Sequence, residues 1–258
     1  MIISVANEKV KYVRSLHRRR VRYRERHFVI EGVRLMEEAF RAGIMPALVF
    51  YSEGIDAIPG GGELLVEARK RGLATFAVSE NVMKALSDTV SPQGVLAVVP
   101  FVELDPPPSL SLALVVDRLR DPGNLGSILR SANAAGVEQV ILAPKTVDPY
   151  NPKVVRGAMG AHFRLPIVAL SWPEIAETLT DIQVLLADAR GERTCYEVDW
   201  TRPSALIIGG EAHGASREAA ELAMATIAIP MHGGAESLNA AVAASVILFE
   251  AARQRSFH

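Results

Sequence analysis

The sequence predicts an α/β protein in two domains, the second built on a mostly parallel sheet with helices on both faces. Three observations carry that expectation. Short apolar runs such as Leu112–Val116, Gln139–Leu142 and Ala205–Gly209 alternate with helical stretches, and strands covered on both faces read as continuous apolar runs. Residues 103–110, Glu-Leu-Asp-Pro-Pro-Pro-Ser-Leu, set three prolines in a row. Such a segment can neither continue a helix nor donate to a ladder, so it stands as a stiff spacer. Glycine-rich turns at Gly209–Gly214 and Gly233-Gly234 interrupt the last apolar runs. The expected organisation is residues 1–102, a linker 103–110, and residues 111–258.

In the first domain a basic helix near residues 7–20 precedes strand His27–Ile30, helix Gly32–Arg41 and strand Ala47–Tyr51. After the turn Ile58-Pro59-Gly60-Gly61-Gly62 come helix Glu63–Arg71, strand Ala74–Val78, helix Glu80–Leu86 and strand Val95–Val99. Past the linker, strand Leu112–Val116 leads into helix Gly123–Ala135, closed by Gly136 at a position that favours glycine. Strand Gln139–Leu142, helix Pro152–Met159, a strand near Leu165–Ala169, helix Pro173–Leu179 and strand Val184–Ala187 follow. Strands Ala205–Gly209 and Ile227–Ile229 frame a short helix starting at Ser216, and a long helix begins near Ser237. No internal repeat is present.

Composition excludes more than it proposes. A chain of 258 residues, 49% of them hydrophobic, can bury full cores in two domains. No apolar run approaches the ~18 residues of a membrane span, and no signal-like segment opens the chain, so no membrane partner is expected. The single cysteine, Cys195, cannot form an internal disulfide and suits a reducing cytoplasm. No base stands near it in sequence, so it reads as a packing thiol. Six scattered histidines lack ligand spacing, and no metal site is expected.

The net charge of −1 conceals an asymmetry: residues 1–34 hold ten Lys or Arg against three acids. Arg18, Arg19, Arg20, Arg22 and Arg24 are the densest part. Such a cluster is an electrostatic footprint for a polyphosphate backbone, although a basic run alone can equally be a solvated surface.

Three segments carry the chemistry. In residues 116–142, Val-Asp-Arg-Leu-Arg-Asp-Pro-Gly-Asn-Leu-Gly and onward, Asp121 and Pro122 suit an N-cap followed by proline at the first helical position. Leu125, Ile128, Leu129 and Ala132 then form an apolar stripe, with Asn124, Ser127, Arg130 and Ser131 on the opposite side. Taken alone these polar residues read first as an ordinary solvated face, although a single charge is sparse for such a face and asparagine with two glycines makes a poor first turn. The second segment, Ala205–Ser216, has the outer glycine spacing of a P-loop, but Ala215 stands where the lysine is required. It also lacks the Gly-x-Gly-x-x-Gly dinucleotide fingerprint. What remains is a glycine-rich turn after a buried strand, able to bring backbone close to a flat ligand. The third, residues 227–253, runs from a strand through Pro230 into a helix apolar on nearly every side, opened by Glu236, Ser237 and Asn239. Such a helix is buried, often against a second chain.

In order and residues, these segments resemble the three signature motifs of the SpoU (TrmH) family of RNA ribose 2′-O-methyltransferases, in the SPOUT superfamily. The resemblance spans roughly residues 110–255: D-P-G-N-L-G-x-x-x-R, then G-x-E-x-x-G, then I-P-M followed by S-L-N. It implies a SPOUT Rossmann-like sheet with a deep C-terminal trefoil knot, S-adenosyl-L-methionine as cofactor, and a homodimer formed through the C-terminal domain. The stretches F-V-I-E-G-V-R-L-M-E-E-A and Q-G-V-L-A-V-V resemble the L30-like substrate-binding domain that many relatives carry.

On the same basis Arg130, Asn124, Glu211, Ser237 and Asn239 are expected to be catalytic. Gly209, Glu211, Gly214, Ile229, Met231 and Leu238 are expected to form the cofactor pocket. Gly210 and Ala212 depart from the usual residues of that loop. The family's matching arginine is often proposed as the base, yet a neutral guanidinium is expensive at a pKa of ~12.5–13.8. Gripping the adjacent phosphate and stabilising developing alkoxide charge is the favoured role, with direct deprotonation the alternative. Ser237 reads equally as a helix cap. Lys153 and Arg156 read as structural or RNA-contacting. The substrate is RNA, with rRNA preferred over tRNA. A non-catalytic RNA-binding protein of the same fold is the alternative, and a Rossmann dehydrogenase is disfavoured for want of its fingerprint.

Overall fold

A computed structural model describes residues 1–210, 214–233 and 236–256. The chain divides into two compact units, one formed by residues 1–102 with 150–163 and the other by residues 103–149 with 164–258.

In the first unit, the single basic helix expected near residues 7–20 is two helices, α1 (Glu8–Ser15) and α2 (Arg19–Glu25). The break has a physical cause. The Arg22 guanidinium folds back and donates to the carbonyls of Leu16 and His17 at 2.7 and 2.8 Å. It thereby satisfies carbonyls that α1 would otherwise leave open at its end. Strands β1 (His27–Glu31), β2 (Leu48–Ser52), β3 (Thr75–Val78) and β4 (Val95–Pro100) form one sheet in the order β1-β4-β2-β3. Only the β2–β3 pair is parallel. Helices α3 (Val33–Arg41), α4 (Gly61–Lys70) and α5 (Glu80–Leu86) complete the layer. Residues 150–163, which hold α7 (Pro152–Ala158), pack in this unit: Val155 and Phe163 join the core of Phe28, Ile30 and Met36. Sequence order hides this, because the segment is flanked on both sides by the second unit.

The second unit is a seven-stranded sheet, parallel at every pairing, in the order β7-β6-β5-β10-β8-β11-β9. Its strands are β5 (Leu112–Val116), β6 (Gln139–Leu142), β7 (Ile167–Ala169), β8 (Gln183–Ala187), β9 (Arg193–Thr194), β10 (Ser204–Ile208) and β11 (Ala225–Ala228). The central strands β5 and β10 are buried along their whole length, as a sheet covered on both faces requires. The two-residue β9 is too short to leave a periodic signature, and the sequence did not suggest it. Helices α6 (Pro122–Ala134), α8 (Trp172–Thr178), α9 (Arg217–Leu222) and α10 (Ala240–Ser256) connect and cover the strands. Among the described residues no helix is long and apolar enough to cross a membrane.

The start of α10 differs from expectation. The helix opens at Ala240 rather than near Ser237, because Asn239 caps it, its Oδ1 accepting from the Ala241 and Val242 amides at 2.9 and 3.3 Å. Ser237 is therefore not the cap. Cys195 is fully buried, and burial pushes its thiol pKa up, the nearby Glu250 charge adding to the effect. A thiol held protonated in this way is inert packing.

Candidate active site

Parallel pairing places three chain ends side by side. Val116 of β5, Ile208 of β10 and Ala187 of β8 are in register, so the next residues, Asp117, Gly209 and Asp188, emerge together at the carboxyl edge. In open α/β sheets that edge is where ligands bind. A cleft of about 510 Å³ lies there. Its walls come from the ends of β8, β10 and β11 and from the first turns of α10. Gly209, Gly214, Ile229, Met231 and Leu238, all expected to touch cofactor, line it together with Ser237 and Asn239. Glu211 lies outside the described residues.

The floor of the cleft requires glycine. A Cβ on Gly209 would stand 2.5 Å from the Ala215 amide nitrogen, and one on Gly210 2.5 Å from the Arg118 carbonyl oxygen. Gly214 adopts φ +62°, and its amide donates to the Gly210 carbonyl at 3.1 Å, closing the turn. The loop is then pinned from behind. Asp117, fully buried, accepts from the Ser216 amide at 2.6 Å, while its own amide donates to the Ile208 carbonyl at 2.9 Å. Ser216 in turn caps α9 through the Ala219 amide at 3.2 Å. One residue, through its carboxylate on one side and its backbone amide on the other, thus ties the end of β5 to both sides of the glycine turn.

Sequence reasoning missed Asp117 and Asp188. The available signal was that each is the first polar residue after an apolar run, at the edge where parallel strands end. Among the described lining residues Asp188 is the one charged group.

A second construction joins α6 to α10. As expected, α6 starts with Asp121 as cap, its Oδ1 accepting from the Asn124 amide at 2.8 Å, and proline at the first position. Asn239 Nδ2 donates to Asn124 Oδ1 at 3.0 Å. About two turns beyond, the Ser131 and Ser245 hydroxyls are 2.7 Å apart, and Ser245 already donates to the Ala241 carbonyl at 2.7 Å. A hydroxyl has one proton, so Ser131 is the donor across the pair. These two contacts bring the first and third motifs together. Arg130, adjacent to Ser131, is exposed. Among the described residues no hydrogen bond or ion pair holds it, so its five donors are open to a ligand.

Residues 111–249 match the SpoU rRNA Methylase family model, more than half of the chain. The chain belongs to the SpoU family. Residues 7–97 match the MRM3-like substrate binding domain. The 23S rRNA (guanosine(2553)-2′-O)-methyltransferase of Bacillus subtilis is 32% identical, covering 96% of this chain and 97% of the relative. The 23S rRNA (uridine(2479)-2′-O)-methyltransferase of Streptomyces viridochromogenes is 35% identical over 93% and 87%. The solved structure of the SpoU methyltransferase AviRb from that organism, in complex with the cofactor AdoMet, superposes with a TM-score of 0.87 at 32% identity, covering 97% and 98% of the two chains. An AdoMet-bound rRNA methyltransferase from Sinorhizobium meliloti gives 0.84 at 30% identity, over 98% and 97%.

Seen as a SpoU protein, the cleft is a test of cofactor fit. Ile208, Ile227, Ile229, Met231 and Ile247 supply apolar walls for a flat base, and the glycine turn brings backbone amides and carbonyls to its edge. Asp188 offers a carboxylate acceptor of the kind that holds sugar hydroxyls. The residues present fit an adenosine-bearing cofactor.

The basic cluster divides. Arg18, Arg19, Arg20 and Arg24 are exposed, but Arg22 is 3% exposed and engaged with the end of α1. Arg22 is thereby removed from the residues expected to meet RNA.

Proposed function

We propose that this SpoU-family RNA 2′-O-methyltransferase methylates a ribose 2′-hydroxyl of ribosomal RNA, with S-adenosylmethionine held in the cleft at the ends of β8, β10 and β11. The observation that carries the reading is the convergence of all three motifs. The glycine turn and the α10 entry form one wall each of a single cleft, and the Asn239–Asn124 bond fastens that entry to the helix bearing Arg130. When bound, the cofactor supplies an electrophilic methyl group.

The chain's own residues then divide the work. Gly209, Gly214, Ile229, Met231 and Leu238 shape the pocket, Asp117 keeps the turn in place, and Asn239 fixes α6 against α10. Arg130 grips the phosphate next to the target ribose and stabilises the alkoxide that develops as the 2′-hydroxyl loses its proton. Ser237, released from capping, is available to position the ribose. Glu211 keeps the catalytic and cofactor role inferred from its motif.

Residues 1–102 serve as the RNA substrate-binding domain, 103–110 as linker and 111–258 as the catalytic domain, apart from residues 150–163, which pack with the first unit, and Arg18, Arg19, Arg20 and Arg24 meet phosphates. The deep trefoil knot belongs to the same proposal and rests on the resemblance of the three motifs to the SPOUT superfamily. So does a cytoplasmic homodimer through α10, whose apolar Val242 and Phe249 are about half exposed. A monomeric mass by light scattering at micromolar concentration would sink the dimer.

The deciding experiment is to map 2′-O-methylation across total RNA from a strain lacking the protein and from one restored with it. A single rRNA ribose that loses and regains its methyl group is expected. A site in tRNA would redirect the substrate assignment, and an unchanged map would support a non-catalytic RNA binder.

A further inference from the structure

Helix α2 carries more than charge. Arg19, Tyr23 and Arg26 fall at positions i, i+4 and i+7, on one side of the helix. Arg26 terminates it in the left-handed conformation, φ 55°. The Arg19 guanidinium lies over the Tyr23 ring, 5.2 Å from its centroid, and that of Arg26 lies 5.1 Å from the Phe101 ring. Arg18, Arg20 and Arg24 line a separate shallow cleft beside the same helix. Among residues 14–26 Glu25 is the sole acid, so the surface is not the mixed-sign pattern of ordinary solubility.

Tyr23 is 39% exposed and stands on a stiff base. Its ring packs edge-on against Phe101 and Tyr150, with centroids at 5.4 and 6.2 Å. Those two rings are stacked on each other at 3.7 Å and 11°. Buried Phe28 lies beneath Tyr150 at 5.1 Å. A cluster of aromatic rings therefore leaves one member partly open to solvent, with the Arg19 guanidinium over one side of its ring and Arg26 at the neighbouring Phe101. An aromatic face bordered by cations suits a nucleobase with phosphates on either side. Paired bases are stacked within their helix, and the narrow major groove of duplex RNA does not admit side chains, so the base must be unpaired.

We infer that Tyr23 is a stacking platform for an unpaired nucleobase of the RNA substrate, with Arg19 and Arg26 holding the flanking backbone. The inference rests on the proposed RNA-binding role of this domain and names the kind of RNA it takes: a loop, bulge or single strand rather than a duplex.

The test uses the full-length protein and a single-stranded RNA containing 2-aminopurine, with the matched duplex as comparison, and follows anisotropy and 2-aminopurine emission across a salt series. Tyr23→Ala and Tyr23→Leu are expected to weaken single-strand binding roughly 5- to 100-fold without changing the salt slope, because a stacked ring releases no counterion. Tyr23→Phe should bind like the parent. Leucine keeps the packing volume without the aromatic face, so loss in that variant with an unchanged thermal melt and unchanged S-adenosylhomocysteine affinity isolates stacking from folding. Full affinity in Tyr23→Leu, Tyr23→Phe as weak as Tyr23→Ala, or a parent protein that prefers the duplex would each overturn the inference. A parent protein that binds neither RNA would instead overturn the RNA-binding role itself.

Discussion

The arginine-rich stretch around α2 and the seam between α6 and α10 both place polar side chains where function is expected, by opposite means. Around α2 the groups are neighbours in sequence, long, charged and mostly exposed, and the fold's main intervention is to withdraw Arg22 into the end of α1. Along the seam the partners stand more than a hundred residues apart. They are short and uncharged, and hold one geometry through Asn239–Asn124 and Ser131–Ser245. A surface that meets a polyanion tolerates loose placement, because its attraction is spread over many contacts and screened by salt. A reacting centre does not, since displacement of about 1 Å can cost roughly a hundredfold in rate.

That contrast breaks first at Arg130, a charged residue on the precise side of the molecule. Arg130→Ala is expected to lower single-turnover methyl transfer by ~10²–10³ while S-adenosylmethionine still binds. Arg130→Lys should recover little, because an ammonium cannot reproduce a planar two-pronged grip. Near-normal turnover in the alanine variant would remove the catalytic assignment. A loss far beyond that range would favour direct proton removal by Arg130.

The next effect belongs to the glycine turn. Gly209→Val would force side-chain atoms against the backbone at Gly214 and Ala215, costing ~1–3 kcal/mol of stability and displacing the turn that lines the cleft, so cofactor affinity is expected to fall. Calorimetry with S-adenosylhomocysteine reads this directly, and unchanged affinity would mean that the cleft is not the cofactor pocket.

The smallest effects sharpen the comparison inside the basic cluster. Arg22→Ala should destabilise the fold by about 1–3 kcal/mol, since it leaves the Leu16 and His17 carbonyls without their donor. Its RNA salt slope should stay as in the parent. Replacing Arg18, Arg19 and Arg20 together should do the reverse, leaving the melt unchanged and flattening the slope by about 0.7 per lost single-strand contact. Matching melts and matching slopes in the two variants would show that burial does not separate these arginines.

Much of the fold was legible because strands buried on both faces leave unbroken apolar runs. Asp121 with Pro122, and Gly136, mark the two ends of α6 in the residues themselves. The motif positions along the cleft were legible only through their resemblance to a family. What escaped depended on tertiary partners. The division of α1 from α2 is set by where one guanidinium folds, and nothing in a run of similar arginines distinguishes that one. Asp117 and Asp188 become neighbours of Gly209 only through strand register. Residues 150–163 follow the aromatic core of the first unit although the chain around them belongs to the second.

The side chain of Asn239 has two different ends, and both are committed. Its oxygen receives the first amides of α10, and its nitrogen reaches across to Asn124. Aspartate caps a helix as well as asparagine does but has no proton to offer a carbonyl oxygen. Selection for a firmer helix start therefore cannot act freely at this position. Spontaneous deamidation has the same consequence in the test tube. A preparation in which Asn239 had hydrolysed to aspartate would keep the oxygen that caps α10 but lose the amide hydrogen that Asn239 donates to Asn124. Chemical age of the sample, read by intact mass, would then explain lost turnover.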